Sequence, residues 1–208
     1  SYTPPIRDLQ FVLHDVLKLS QSDLPGHDEL APDFTEAVLE AAGKDPVQGR
    51  LDLLPPDAAR ERAVIAEAAR MADWQGPRRD GKGYGIAYAK SFGTYVAEVV
   101  EVEDRAGTPR VTRVWCAVDC GIAVNPNVIR AQMEGGIGYA LSAALHSRIT
   151  LAPGGTVEQS NFHDFQVLRM NEMPKVEVHI VPSAANPTGV GEPGVPPLAP
   201  ARASRSRP

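Results

Sequence analysis

The chain lacks the side-chain patterns that mark metal centres and redox pairs. Its two cysteines, Cys116 and Cys120, lie four residues apart and form no CxxC pair. This spacing suits neither a zinc site nor an iron–sulfur cluster of the common type, so both are expected to pack as small apolar residues. The five histidines are scattered and match no metal-ligand motif. We therefore predict no metal-ligating set among the protein's own side chains.

Long apolar runs and excess positive charge are also missing. No apolar stretch approaches the ~18 residues that span a membrane, and the first residues lack a basic segment followed by an apolar one. We expect no membrane span, no signal peptide and a cytoplasmic location. A net charge of −5 gives no support for nucleic-acid binding. The 19 prolines and 18 glycines exceed the ordinary combined share of about 12% and predict many loops.

The hydrophobic periodicity changes along the chain. Apolar residues at helical spacing, together with cap signals, predict helices over 6–19, 34–42, 46–54 and 58–72. A polar linker over 75–83 follows, and then strands at 84–89, 92–103, 110–118, 147–150 and 175–181, with a helix from Asn125-Pro126 to Leu145 between them. The predicted fold class is α+β, with a helical N-terminal region followed by a mixed β-sheet that carries one long helix.

One carboxylate, Glu192, stands in an unusual run of glycine and proline, Gly189-Val190-Gly191-Glu192-Pro193-Gly194. Glycine permits backbone angles closed to other residues, and proline fixes φ, so the run predicts a rigid loop. An acid held in such a loop and shielded from water can act as a general base. The competing interpretation is a solvated turn, since clusters of glycine and proline most often only mark loops.

Four segments precede this loop in a fixed order: DCGIAVNP at 119–126, RAQMEGG at 130–136, EQSNFHDF at 158–165 and LRMNEMP at 168–174. Together they resemble the C-terminal part of the molybdenum-binding subunit of the xanthine dehydrogenase/aldehyde oxidase family, and the isoquinoline 1-oxidoreductase β-subunit type most of all. The resemblance runs from about Gly43 to Ala201. The family's molybdenum subunits are several times longer than 208 residues, so we interpret the chain as a fragment of a cofactor site.

The resemblance implies a hydroxylation of N-heterocycles or aldehydes that takes its oxygen from water. It places the catalytic base at Glu192 and a molybdenum-pterin dinucleotide as cofactor. Its implied cofactor contacts are Gln132, Gly135, Gly136, Gly189, Val190 and Gly191. The implied partner is a small iron–sulfur subunit that accepts the electrons.

The two ends of the chain depart from this pattern. Ser1–Leu17 and Asp33–Ala42 resemble the N-terminus of an acyl-CoA dehydrogenase, which indicates a fusion with a junction near Ala41–Lys44. The predicted division is therefore a helical segment at 1–43, a helical segment and linker at 44–80, a molybdopterin-binding-like α+β region at 81–201 and a disordered tail at 202–208. The tail sequence also predicts that the helix after the Glu192 loop is missing.

Three functions remain open at this point. The chain is a piece of a molybdenum hydroxylase, a non-catalytic protein that acts through packing or interaction surfaces, or a flavin-dependent protein of the acyl-CoA dehydrogenase type. A truncated sheet exposes edges and apolar faces, which favours a homo-oligomer or a missing partner chain.

Overall fold

A computed structural model describes Leu39 and residues 42–203 of the chain. In chain order its elements are α1 (Pro46–Leu53), α2 (Ala59–Met71), β1 (Arg78–Arg79), β2 (Lys82–Ser91), β3 (Thr94–Arg105), β4 (Thr108–Asp119), α3 (Pro126–Leu145), a 3₁₀ turn (Met170–Glu172), β5 (Lys175–Ile180) and α4 (Leu198–Ala203). The α+β class with one long helix is confirmed. Among the described helices, none combines the length and the apolar character that crossing a membrane requires.

Two helices, α1 and α3, begin where the sequence predicts. The carboxylate of Asp45 accepts hydrogen bonds from the amides of Val47 and Gln48, and Pro46 occupies the first turn of α1. Asn125 caps α3 in the same way, again with a proline directly after it. A side-chain acceptor followed by proline satisfies the free amides of a first turn, which is why both starts could be read from the sequence.

The sheet is mixed, as predicted, and its strands follow the order β1-β2-β3-β4-β5. The first four strands are antiparallel neighbours, whereas β5 runs parallel to β4. Two tight turns with positive φ, Phe92-Gly93 and Ala106-Gly107, join β2 to β3 and β3 to β4. A parallel neighbour requires a crossover, and the segment between β4 and β5 contains α3.

Helices cover both faces of the sheet. On one face, α1 and α2 pack against alternate residues of β2, β3 and β4, and Val64, Ile65 and Ala68 of α2 are fully buried there. On the other face, α3 and α4 pack over the remaining residues of the same strands, with a core that includes Met133, Ile137 and Leu198. This second core supports the candidate site, because Val190 and Val195 of the Glu192 loop pack against it.

Three local predictions need correction. The predicted linker at 75–83 contains β1, because Asp80-Gly81 forms a tight turn with φ of +53° and +75° that pairs Arg79 with Lys82. Asp-Gly is a strong hairpin signal, which the linker interpretation ignored.

The second correction concerns the strand predicted at 147–150, which does not form. The nearest pairing is an isolated bridge between Leu151 and Val157.

The third correction concerns the helix after the Glu192 loop, which is present as α4. Leu198 and Ala201, three residues apart, are both fully buried, so this short helix is fixed by packing. Residues 202 and 203, predicted as part of a disordered tail, are its last two residues. The predicted helices at 6–19 and 34–42, and with them the acyl-CoA dehydrogenase resemblance, lie outside the described residues apart from Leu39 and Ala42.

Candidate functional site

Two loops that are far apart in the sequence form the base of the candidate site. The amide of Ile122 donates to the carbonyl of Ala185, and the amide of Thr188 donates to the carbonyl of Cys120, both at 2.9 Å. Gly121 lies between these bonds with φ of +75°, and a Cβ there would collide with the backbone of Ala185 and Asn186. Glycine is therefore required for the loop after β4 to lie against the segment that leads to Glu192.

Helix α3 supports the Glu192 loop from the other side. A Cβ on Gly194 would lie 3.2 Å from the carbonyl oxygen of Met133, and a Cβ on Gly136 would lie 3.4 Å from the carbonyl carbon of Gly194. Gly136 is buried in this contact, so its observed role is close packing between helix and loop. The same approach brings Gln132 beside the loop, with its amide nitrogen 3.7 Å from the Cβ position of Gly191.

Most of the predicted site residues lie at the surface of α3 and of the Glu192 loop, which contact each other through Gln132 and Gly136. Gln132, Gly135, Gly189, Gly191 and Glu192 are all exposed. Gly135 faces open space, with nothing within 4 Å of its Cβ position. A sixth residue, Val190, is partly buried against the core beneath the loop. Helix α3 and the Glu192 loop therefore meet in space, although they are distant in the chain.

Glu192 itself is exposed, contrary to the shielded position that the sequence suggests. Its backbone carbonyl accepts a hydrogen bond from the Val195 amide at 2.9 Å, which closes a turn around it. Among the described residues no hydrogen bond to its carboxylate is found. The loop thus fixes the backbone at Glu192. To shield the Glu192 carboxylate from water, a further protein surface must cover it.

An exposed stripe runs along α3 on the side away from the core. Val128, Gln132, Gly135 and Tyr139 follow one another at helical spacing, and all four are exposed. The two ends of the stripe are large apolar side chains, Val128 at 52% and Tyr139 at 72% exposure. Between these apolar ends lie the polar side chain of Gln132 and the helix backbone that Gly135 leaves uncovered. Such a face is suited to contact with another surface rather than with water alone.

An ion pair between a partly exposed arginine and a buried aspartate anchors the loop after β4. Arg60 of α2 binds both carboxylate oxygens of Asp119, at 2.7 and 2.6 Å, and the amide of Gly121 donates to the same carboxylate at 2.9 Å. Burial alone would raise the pKa of Asp119, but the hydrogen bonds from Arg60 and Gly121 hold it below its usual value. Sequence reasoning missed Arg60, because no local pattern links two residues so far apart in the chain.

A second carboxyl, Glu98, is fully buried in the core under α3 and α4. It lies on β3 opposite Ala87 and Cys116, and neither of its oxygens has a hydrogen-bond partner. Burial raises the pKa of Glu98 well above its ordinary value, because an apolar core disfavours the charged form of a carboxyl group. The sequence carried a signal for it, because Val96 and Val100 place position 98 on the apolar face of an alternating strand.

The cysteines behave as the sequence predicts, since both are free and buried. Within Leu39 and residues 42–203, no group of three or more histidine, cysteine, aspartate or glutamate side chains is placed to hold a metal ion.

Comparison with known proteins gives matches over most of the chain. The family described as the molybdopterin cofactor-binding domain matches residues 33–174. The β-subunit of isoquinoline 1-oxidoreductase from Brevundimonas diminuta is 40% identical over 173 residues, which cover 81% of this chain and 22% of that protein. The large subunit of nicotine 6-hydroxylase from Paenarthrobacter nicotinovorans is 27% identical over 152 residues, 66% of this chain and 19% of that protein.

Among solved structures, the carbon monoxide-reduced Cu,Mo-CO dehydrogenase is similar over 54% of this chain and 15% of its own, with 26% identity and a TM-score of 0.47. The chain spans about a fifth of the length of the curated relatives it matches. The family match ends at Pro174, before the loop that carries Glu192.

Proposed function

Because this chain belongs to the molybdopterin cofactor-binding domain family, we propose that it supplies one wall of the molybdenum-pterin cofactor site of a hydroxylase, with Glu192 as the general base. When bound, such a cofactor supplies two-electron oxidation with oxygen taken from water. The protein's part is to hold and orient the group and to move protons beside it. The proposed substrates are N-heterocycles or aldehydes, the classes that the resemblance implies.

The observation that carries the proposal is the exposed surface shared by Gln132, Gly135 and Gly191. The open Cβ position of Gly135 leaves bare helix backbone at the surface, so a flat group can approach closely there. The Gln132 amide beside Gly191 offers both donors and an acceptor for a pterin edge. Gly189 and Val190 extend this backbone surface, and Gly136 supports it through the packing contact below. The residues present therefore fit the cofactor.

Glu192 lies on the same surface and ends the glycine-rich part of the loop. In the proposed reaction its carboxylate accepts the proton released as water-derived oxygen is transferred to the substrate. A positioned carboxylate in this role contributes on the order of 10²–10⁴ in rate. The carboxylate can act in this way only if water is excluded from the site, which requires protein surface on both sides of the cofactor. The described residues supply only one of these two walls. We therefore expect the chain on its own to be inactive.

The reaction removes two electrons from the substrate, and the described part of the chain contains no evident carrier for them. Both cysteines are buried and free, and they form no cluster motif. We therefore propose that a separate iron–sulfur subunit accepts the electrons, as the resemblance implies.

A non-catalytic role is the second candidate, and the exposure of Glu192 favours it. A chain that keeps these packing surfaces without retaining cofactor would act only by association with another protein surface. The exposed apolar ends of the α3 stripe, Val128 and Tyr139, suit such an association, either with a partner or between copies of this chain.

Two substitutions at Gly135 test cofactor binding without disturbing the fold. Gly135→Ala replaces glycine inside a helix and should raise stability by about 0.5–1 kcal/mol, whereas Gly135→Leu should fold but cover the open surface. We expect the leucine variant of the cofactor-loaded protein to lose most of its molybdenum and pterin, and the alanine variant to keep more. Equal cofactor content in the wild type and the leucine variant would contradict the proposed surface.

Glu192→Gln separates the base from the binding surface. In the cofactor-loaded enzyme with its second wall in place, we expect cofactor content to stay unchanged while turnover of an N-heterocycle falls by about 100-fold or more. Unchanged turnover would remove Glu192 from the proposed role, and turnover by the purified 208-residue chain alone would refute the need for a second wall.

A further inference from the structure

The turn between β2 and β3 contacts the segment that leads into Glu192. Thr94, the first residue of β3, is fully buried, and its hydroxyl donates to the carbonyl of Gly189 at 2.6 Å. The same oxygen lies 2.6 Å from the hydroxyl oxygen of Thr188. Both contacts reach the chain just before the proposed base.

The direction of these hydrogen bonds follows from the atoms involved. A carbonyl oxygen can only accept, so the single hydroxyl hydrogen of Thr94 is committed to Gly189. Thr94 must therefore accept from Thr188, and the three groups form one directed chain, from the Thr188 hydroxyl to the Thr94 hydroxyl to the Gly189 carbonyl. Successive hydrogen bonds of this kind polarise and strengthen one another.

Steric contacts at the same turn leave the segment little freedom. A Cβ on Gly189 would lie 3.2 Å from the Cβ of Phe92, and a Cβ on Gly93 would lie 3.0 Å from the methyl group of Thr188. Phe92 also has φ of +52°, a region that non-glycine residues seldom occupy and that needs support from surrounding structure. The turn and the segment thus hold each other in place on both sides of the hydroxyl chain.

We propose that this hydroxyl chain, Thr188–Thr94–Gly189, is a clamp that sets the position of Glu192, which makes Thr94 a positioning residue for the proposed base. The inference rests on the proposed function of Glu192, whereas the clamp itself can be measured without cofactor. Glu192 is held between two anchors, the clamp at Gly189 before it and the packing of Gly194 on α3 after it. Loss of the first anchor should loosen the turn at Glu192 and leave the sheet intact.

Thr94→Val tests the clamp, because it removes the hydroxyl and keeps the shape, and Thr94→Ser is its matched control. Amide hydrogen exchange of Val195 reports the turn directly, since this amide donates to the Glu192 carbonyl. We expect its exchange to become roughly 3- to 10-fold faster in the valine variant, to stay near wild type in the serine variant, and to leave the central β3 amide of Val99 unchanged. Unchanged exchange at Val195, or equal acceleration at Val99, would overturn the clamp.

Thr188→Val serves if Thr94→Val does not fold, because it removes only the outer, partly buried hydroxyl and should accelerate Val195 exchange in the same sense. In the cofactor-loaded protein, Thr94→Val should lower kcat with little change in KM, and Thr94→Ser should restore it. Faster exchange with unchanged kcat would refute the positioning role. Failure of the proposed function is seen separately, as unchanged turnover in Glu192→Gln.

Discussion

Replacing Gly121 with alanine would place a methyl group between the two loops that form the base of the candidate site. A Cβ at this position would lie 2.7 Å from the carbonyl oxygen of Ala185 and closer still to that of Asn186. Both neighbours are backbone atoms, so the collision is relieved only if the segment around Ala185 moves away from the loop after β4.

The expected cost has two parts. The left-handed conformation at φ of +75° costs an L-residue roughly 1–2 kcal/mol. Displacement of the segment also breaks the hydrogen bonds from Ile122 to Ala185 and from Thr188 to Cys120, each worth about 0.5–1.5 kcal/mol net. The free energy of unfolding should therefore fall by about 2–5 kcal/mol.

Gly81→Ala is a matched control for the backbone part of this cost. Gly81 has the same φ of +75°, but nothing lies within 4 Å of its Cβ position. It should lose only the roughly 1–2 kcal/mol of the left-handed conformation. Urea denaturation of the two alanine variants measures the difference, and equal losses would show that the close approach of the loops does not stabilise the protein.

Three further predictions concern buried groups. The folded-state pKa of Glu98 is raised, so stability should fall as pH rises from the unfolded value of about 4.3 through the folded pKa. Glu98→Gln should flatten this slope in urea midpoints measured between pH 5 and 8, and parallel slopes would contradict the assignment. The pKa of Asp119 is lowered, so its contribution is present above about pH 3.9 and lost as pH falls through the folded pKa. Asp119→Asn should cost about 2–3 kcal/mol at pH 7, less than the roughly 3–5 kcal/mol of a fully buried pair, because Arg60 is partly exposed. A loss below about 0.5 kcal/mol would refute the anchor. Burial raises the thiol pKa of Cys116 and Cys120, so iodoacetamide should alkylate both at the rate of unfolding, and fast labelling of the native protein in mass spectra would contradict their burial.

The sequence predicted those parts of the fold that depend on local chemistry. Asp45-Pro46 and Asn125-Pro126 mark helix starts. The aromatic and β-branched residues of β3 and the alternation in β5 mark strands, because each signal acts within a few residues. The family was also correctly predicted, since several ordered motifs agree and the molybdopterin cofactor-binding domain matches the chain.

The remaining features depend on contacts between distant segments. The partner of Asp119 is Arg60 in α2, and the partner of Gly189 is Thr94 at the start of β3. Neither pair has a characteristic spacing, because both depend on how the strands and helices pack. Glu98 is the opposite case. The alternation of Val96, Glu98 and Val100 along β3 places the acid on the apolar face of the strand, so its burial could have been predicted from the sequence.

Binding of a stable oxidised pterin dinucleotide to the isotope-labelled chain, followed by NMR, tests the central claim most directly. Chemical shifts detect even weak binding to one wall of a site, so the test does not depend on a complete enzyme. The account predicts saturable shifts at the amides of Gln132, Gly135 and Gly191, and their loss in Gly135→Leu. Absent shifts, or shifts confined to the opposite face of the sheet around α2, would contradict the claim that this surface holds the cofactor.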